Sequence, residues 1–480
     1  MVGQVVQAGN MPFLVNVCDY GANGNRDTAD PTANTMAIQK AFNAALLAPN
    51  AYSATVYFPP GQYLVNGPIT LNSGVLEGGL TIMGSGRRSS FLLWTTDTPI
   101  LQFDCTATTM SSVTITDMGF FCQFPAKQND GSIVYPKTSY AIAIYGNSPY
   151  GFERALFESL GFYGPMTAAI TSYQTDHASG YAAFAVRWTT FNDIDFDTGG
   201  QPAPPNRCVW FQNASGTGNI LSNFTGGGTA SIIESGGDSF NSVCGDMLIQ
   251  GIQGGNGADM IKLTGGSYME RVSILNCQAD GNVKNGLNLV GMGQFEVRNF
   301  LWGGATTWNL QNCYDYVIDG MPGTGGQCMQ SSIHRGYKWN DQWGNIVYSE
   351  EHDTYTGTTG GSLFSVSFPG STGYRGNTIT NAGSSFAVMI EIHANGTISL
   401  PSNGGTVPLV CKFTGVLSLN GRTASFFNSA YDGVPGLAFS VDTSSTTPVI
   451  SVAAMNGYGI SGALGARIRS IGSPHWVTRL

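Results

Sequence analysis

Asp193, Asp195 and Asp197 alternate with Ile194 and Phe196. In an extended chain, alternation sends the carboxylates to one face and the apolar pair to the other. Same-face neighbours on a strand lie about 6.7 Å apart. Carboxyl groups about 6.5–9.5 Å apart can activate a water and protonate a leaving oxygen across a sugar ring; at about 5–5.5 Å one of them acts as a nucleophile instead. Asp195 and Asp197 are therefore candidates for acid–base work on a glycosidic bond. Glu158 is a third candidate, one repeat earlier and beside Asn192. Glu234 stands in Ser231-Ile-Ile-Glu-Ser-Gly236, in a core-facing or an adjacent outward slot depending on register. Its apolar flanks would give it the raised pKa of a general acid; the competing reading is an ion pair with Lys262, one repeat on. Asp238 follows it as a further candidate acid, and Lys262 and Arg271, the latter on the next repeat, are candidate substrate contacts. Trp210, between Val209 and Phe211, should point outward and can stack on a sugar ring; packing under a loop or between subunits is the rival reading. His177 beside Asp176 is a candidate contact in a long loop. Five dispersed histidines and no calcium-loop spacing argue against a metal site, and no Gly-rich run is followed by Lys-Ser/Thr. No cofactor is expected.

These residues sit in a degenerate repeat of the form apolar–x–turn–apolar. Its copies are Ile115-Thr-Asp-Met118, Phe157-Glu-Ser-Leu160, Phe191-Asn-Asp-Ile194, Leu221-Ser-Asn-Phe224, Ile249-Gln-Gly-Ile252, Ile274-Leu-Asn-Cys277, Val297-Arg-Asn-Phe300 and Ile318-Asp-Gly-Met321. The third position is always Asp, Ser, Asn or Gly, residues that tolerate left-handed backbone or bond their own backbone. Asp193 holds that slot, so a turn role is the better reading for it. The spacing falls from 42 to 21 residues along the chain. A second strand family interleaves, as in Ile142-x-Ile144, Val209-x-Phe211 and Leu287-x-Leu289. Two strands per repeat and a fixed bend describe a right-handed parallel β-helix over about 53–328, in which stacked coils bury what one coil cannot. Long insertions at 121–140, 163–188 and 197–207 could wall a groove.

Ile38, Ala41, Phe42, Ala45 and Leu46 keep helical spacing before Pro49, which predicts a capping helix over 34–48 in an N-terminal cap of residues 1–52. Ala54–Phe58 and Tyr63–Val65 read as strands. Residues 329–360 read as an irregular connecting segment. Residues 361–480 alternate with period two (Phe386–Ile392, Val407–Phe413, Ala424–Phe427, Val449–Val452) and read as an antiparallel β-sandwich serving assembly or glycan binding. The fold class is therefore all-β.

Composition narrows the classes further. Glycine supplies 65 of 480 residues and charged residues only 11%, which excludes coiled coils; 42% hydrophobic content argues against disorder. The net charge of −9 without a basic stripe makes nucleic acid a poor partner. No run of 18 apolar residues predicts membrane insertion. Residues 1–10 lack the pattern of an export signal. Nine scattered cysteines read as small buried hydrophobes of a chain folded in a reducing cytosol.

Phe13-Leu-Val-Asn-Val-Cys-Asp-Tyr-Gly-Ala-Asn-Gly-Asn-Arg-Asp-Thr28, then Ala37-Ile-Gln-Lys-Ala-Phe42, Val56-Tyr-Phe-Pro-Pro-Gly-Gln-Tyr63 and Leu80-Thr-Ile-Met-Gly-Ser-Gly86, resemble the opening of the pectate-lyase-like superfamily. The branch it resembles most is that of tailed-phage tailspike depolymerases. The resemblance implies a homotrimer on a virion tail, acting on a bacterial capsular, exo- or lipopolysaccharide; a secreted bacterial enzyme is the alternative location. The Asn-Thr-Asp, Asp-Asp, Gly-His-Gly and Arg-Ile-Lys motifs of the superfamily's pectin hydrolases are missing from the solenoid, so neither pectin nor that catalytic set carries over. Three activities remain open: a glycoside hydrolase using a carboxylate pair, a lyase acting on a uronic-acid glycan, and a spike that only binds. Sparse basic residues in the solenoid disfavour the lyase.

Overall fold

The computed structural model describes residues 13–47, 54–72, 79–124, 136–147, 150–174, 185–197, 207–212, 215–227, 231–236, 244–255, 259–264, 271–280, 283–301, 307–311, 313, 316–322, 328–340, 346–356, 360–367, 385–400, 406–420, 423–432, 437–445, 447–454, 459–460, 464–472 and 476–479. Two compact units emerge, one within residues 1–327 and one made of short pieces of 292–321 with all of 328–480.

The first unit is a parallel β-helix. Its coils stack in three sheets of parallel strands. In the first sheet, register aligns Val15, Val56, Ile82, Ile115, Phe157, Phe191, Leu221, Ile249 and Ile274 in one column. Every one of them is buried. Phe157 and Phe191 stack with ring centroids 4.9 Å apart and planes within 7°. The second sheet aligns Ile69, Leu101, Ile142, Ile170, Val209, Ile233, Ile261 and Leu287, again all buried. The third runs through Met110, Phe152 and Val186. Apolar columns repeating at the strand spacing of about 4.8 Å thus make the core, one layer per coil.

The repeat's third position is a corner. Asp117, Ser159, Asp193, Asn223, Gly251, Asn276 and Asn299 all have φ between 53° and 62°. This is the left-handed region, which explains why only Asp, Ser, Asn and Gly occur there. A second left-handed corner precedes the first sheet, at Ser112, Arg154, Trp188, Gly218, Asp246 and Arg271. The residues that fill it share no chemistry, so it is invisible in the sequence.

The capping helix is Pro31–Leu46, three residues longer at its start than the periodicity predicts. Asp30 caps it, accepting from the amides of Thr32 and Ala33, and Pro31 supplies a first-turn residue whose missing N–H costs nothing. Ala37, Ile38, Ala41, Phe42 and Ala45 are its buried stripe.

In the second unit, Phe295–Arg298 and Tyr316–Pro322 continue the coil pattern, pairing Val297 with Ile318 and stacking Phe295 on Tyr316. The segment expected to be irregular is instead an antiparallel hairpin of Cys328–Asn340 and Ile346–Thr356. The latter strand pairs with Leu464–Gly472, and Ser385–Ser399, Thr406–Asn420 and Thr423–Asp432 extend the same antiparallel sheet. A four-stranded sheet of Gly360–Ser367, Leu437–Asp442, Val449–Ala454 and Trp476–Arg479 packs on it. Leu363, Phe364 and Ile450 of one sheet share a core with Val388, Ile390, Phe413 and Ile468 of the other. The β-sandwich is therefore present, with strands longer than the alternation marks.

Candidate functional site

The strand Thr190–Asp197 passes through the corner at Asp193 and resumes with Asp195 and Asp197 outward, Ile194 and Phe196 inward. Asp195 occupies an outward column that runs Gln62, Phe91, Gly119, Gly161, Asp195, Thr225, Gln253, Gln278. Asp197 occupies the next outward column, with Phe121 and Tyr163 before it and Gly227, Gly255 and Asp280 after.

The two glycines preceding Asp195 shape the site. A Cβ at Gly119 would collide with the Phe91 ring, and one at Gly161 with the Tyr163 ring. Both rings therefore lie across the sheet, with centroids 6.1 Å apart. Tyr163 Oη donates to Asp195 Oδ2 at 3.0 Å, and Arg88 Nη2 reaches the same oxygen at 3.4 Å. Arg87 Nη1 donates to Asp193 Oδ1 at 2.8 Å, and Ser159 Oγ to Asp193 Oδ2 at 2.8 Å. Two consecutive arginines thus reach from the turn after Leu80–Met83 to the two aspartates on either side of Ile194. Burial first, then the charge of Asp195, push the Tyr163 phenol up, while Arg88 opposes. Tyr163 is therefore a hydrogen-bond donor and a poor base. The side chain of Asp195 is 17% exposed and Asp197 is open to solvent. Further along the face, Gln253 Nε2 and Gln278 Nε2 donate to the two oxygens of Asp280 at 2.9 and 2.7 Å.

Asp193 is structural, as its turn slot implies. Glu158 lies outward before the corner and accepts from Asn192 Nδ2 at 3.2 Å, so the register sets it on the other side of the bend from Asp195. Tyr163, Arg87, Arg88 and Asp280 were not singled out by sequence. The Arg87-Arg88 pair was the visible signal, but nothing local tells which coil it reaches.

Glu234 stands elsewhere, in an outward column of the second sheet between Trp210 and Lys262. It is only 5% exposed. Arg207 Nε donates to Oε2 at 2.6 Å, Lys262 Nζ to Oε1 at 3.0 Å, and Ser231 Oγ also donates to Oε2. Burial raises its pKa, but hydrogen bonding and charge from Arg207, then Ser231 and Lys262, outweigh it, and the net shift is downward. The expected raised pKa is thus reversed: two cations hold Glu234 ionised, which suits an ion pair and not a general acid. Lys262 is its partner. Trp210 faces outward, but Arg207 covers its ring at 3.9 Å and its Nε1 donates to the Gly236 carbonyl at 3.1 Å. Arg271 lies 3.8 Å from Asp246 in an exposed ion pair. Asp238 and His177 lie outside the described residues, as do 125–135, 175–184 and 198–206 of the three insertions; the rest of 163–188, expected as a loop, holds the coil strands Ala168–Gln174 and Ala185–Arg187. Among the described residues no cluster of three or more His, Cys, Asp or Glu could hold a metal, and no helix is long and apolar enough to cross a membrane.

Residues 14–116 match the family model described as rhamnogalacturonase A/epimerase, pectate lyase-like. No curated protein matches the chain. Solved structures similar to it include the tailspike protein gp49 of Acinetobacter baumannii bacteriophage Fri1, a capsular polysaccharide depolymerase, at 10% identity and TM-score 0.37, covering 99% of this chain and 89% of that one. The tailspike of Acinetobacter phage vB_ApiP_P1 aligns at 12% identity and TM-score 0.29 over 97% and 88% of the two chains. The A-module of the Azotobacter vinelandii mannuronan C-5 epimerase AlgE4 aligns at 15% identity and TM-score 0.28 over 65% and 84%.

Proposed function

We propose that this protein hydrolyses glycosidic bonds of a bacterial surface polysaccharide, with Asp195 and Asp197 as the carboxyl pair. The observation that carries this is their placement: both project outward from one strand, in adjacent columns, between the Tyr163 ring on the preceding coil and the small or amide residues Thr225, Gly227, Gln253 and Gly255 on the following ones. Their backbone positions lie about 6.7 Å apart, a spacing compatible with the carboxyl separation of an inverting pair. Asp195, which accepts from Tyr163 and Arg88, is the carboxylate placed to activate water, and Asp197 is the second carboxyl of the pair. The lyase alternative needs a base able to take a proton from carbon, and the upward push on Tyr163 works against that role. Homotrimer assembly and a place on a virion tail belong to the same reading, through the tailspike resemblance of the first ninety residues. The test is incubation with purified capsular polysaccharides. New reducing ends without the ultraviolet absorbance of an unsaturated uronic acid support hydrolysis; that absorbance identifies a lyase, and neither change identifies a binding spike.

A further inference from the structure

Trp188 is a bulky residue in the left-handed region, with φ 50°, and is 51% exposed. A large side chain in that region is a genuine outlier, and a half-exposed indole gains little packing in return. The surroundings accommodate it. Gly218, the next residue in the same corner column, has no Cβ; one placed there would stand 2.6 Å from Trp188 Cδ1. The Arg154 guanidinium lies 5.7 Å from the ring centroid on the preceding coil. Arg187 and Glu153 pair at 3.4 Å on the adjoining strands, and Asp246 pairs with Arg271 further along the corner. In a chain with only 11% charged residues, five charged side chains share one edge with one exposed indole.

We infer that Trp188 is a stacking platform for a sugar unit of the polysaccharide, a distal subsite on the coil that carries Asp195 and Asp197. This rests on the function proposed above. The apolar face of a pyranose fits an indole, and its hydroxyls fit the planar hydrogen-bonding groups of Arg and Glu. A second copy of this chain is the poorer occupant, because interface cores are depleted of charge and burying this rim would strip water from five ions. Seven residues separate Trp188 from Asp195, at most about 23 Å along the chain, with the Asp193 corner between them, so only a chain of several sugars touches both.

Trp188→Asn tests this, since Asn is at ease in the left-handed region. The probe is a panel of purified capsular polysaccharides and their short acid-hydrolysis fragments. The expected result is a tenfold or greater loss of polymer affinity and a higher KM, with kcat, fragment cleavage and assembly mass unchanged and a melting temperature equal or higher. Unchanged polymer affinity, or a change in assembly mass, overturns the assignment. Binding that depends on Trp188 without any cleavage supports the platform and sinks the hydrolase. A wild-type protein that binds nothing in the panel overturns both.

Discussion

The carboxylates separate by what surrounds them. Asp195→Asn and Asp197→Asn keep shape and remove charge, and each should lower kcat by about 10²-fold or more on a cleaved substrate while binding persists. Glu234→Gln should act on stability. It removes the buried charge that Arg207, only 14% exposed, and Lys262 pair with, and should cost on the order of 3 kcal/mol in denaturant unfolding, with kcat intact. The same residue fixes an acid limb. Its pKa is lower folded than unfolded, so its contribution is present above the usual Glu value of about 4.3 and fades as pH falls through the folded value. The Gln variant should therefore show a flatter loss of stability in acid than wild type. Sequence could place Asp195, Asp197 and Glu158 outward from alternation alone. It could not place Glu234, because a partner 27 residues earlier, Arg207, decides its charge state.

At the scale of elements, the apolar columns and the first corner were legible because each coil repeats the same constraint. Asn276, at φ 53°, shows the corner's cost. Asn276→Gly should be nearly neutral in thermal unfolding, and Asn276→Val should cost about 1–2 kcal/mol. The second corner hid because Arg, Trp, Gly and Asp all occupy it. The helix start hid behind Asp30-Pro31, a cap signal outside the periodic stretch. The hairpin at 328–356 lacks clean apolar alternation; its second strand is set by pairing with residues 464–472 of the sandwich and its first by pairing with the second.

At the scale of the molecule, the β-helix and the sandwich each bury a core of their own. Light scattering should give three times 50.7 kDa, and a mass near that of one chain would contradict the trimer. Deleting 361–480 should impair trimer formation; a truncated protein that stays trimeric and loses only glycan affinity would assign the sandwich to binding. Assembly was not legible from one chain beyond its family resemblance, because columns and corners report contacts within a coil stack only. The carboxyl-pair mechanism is decided by measuring reducing ends released from a cleaved polysaccharide by wild type and by the Asp195→Asn, Asp197→Asn double variant. Wild type should release them steadily and a folded, still glycan-binding variant should release none; release by the variant at the wild-type rate would rule the pair out.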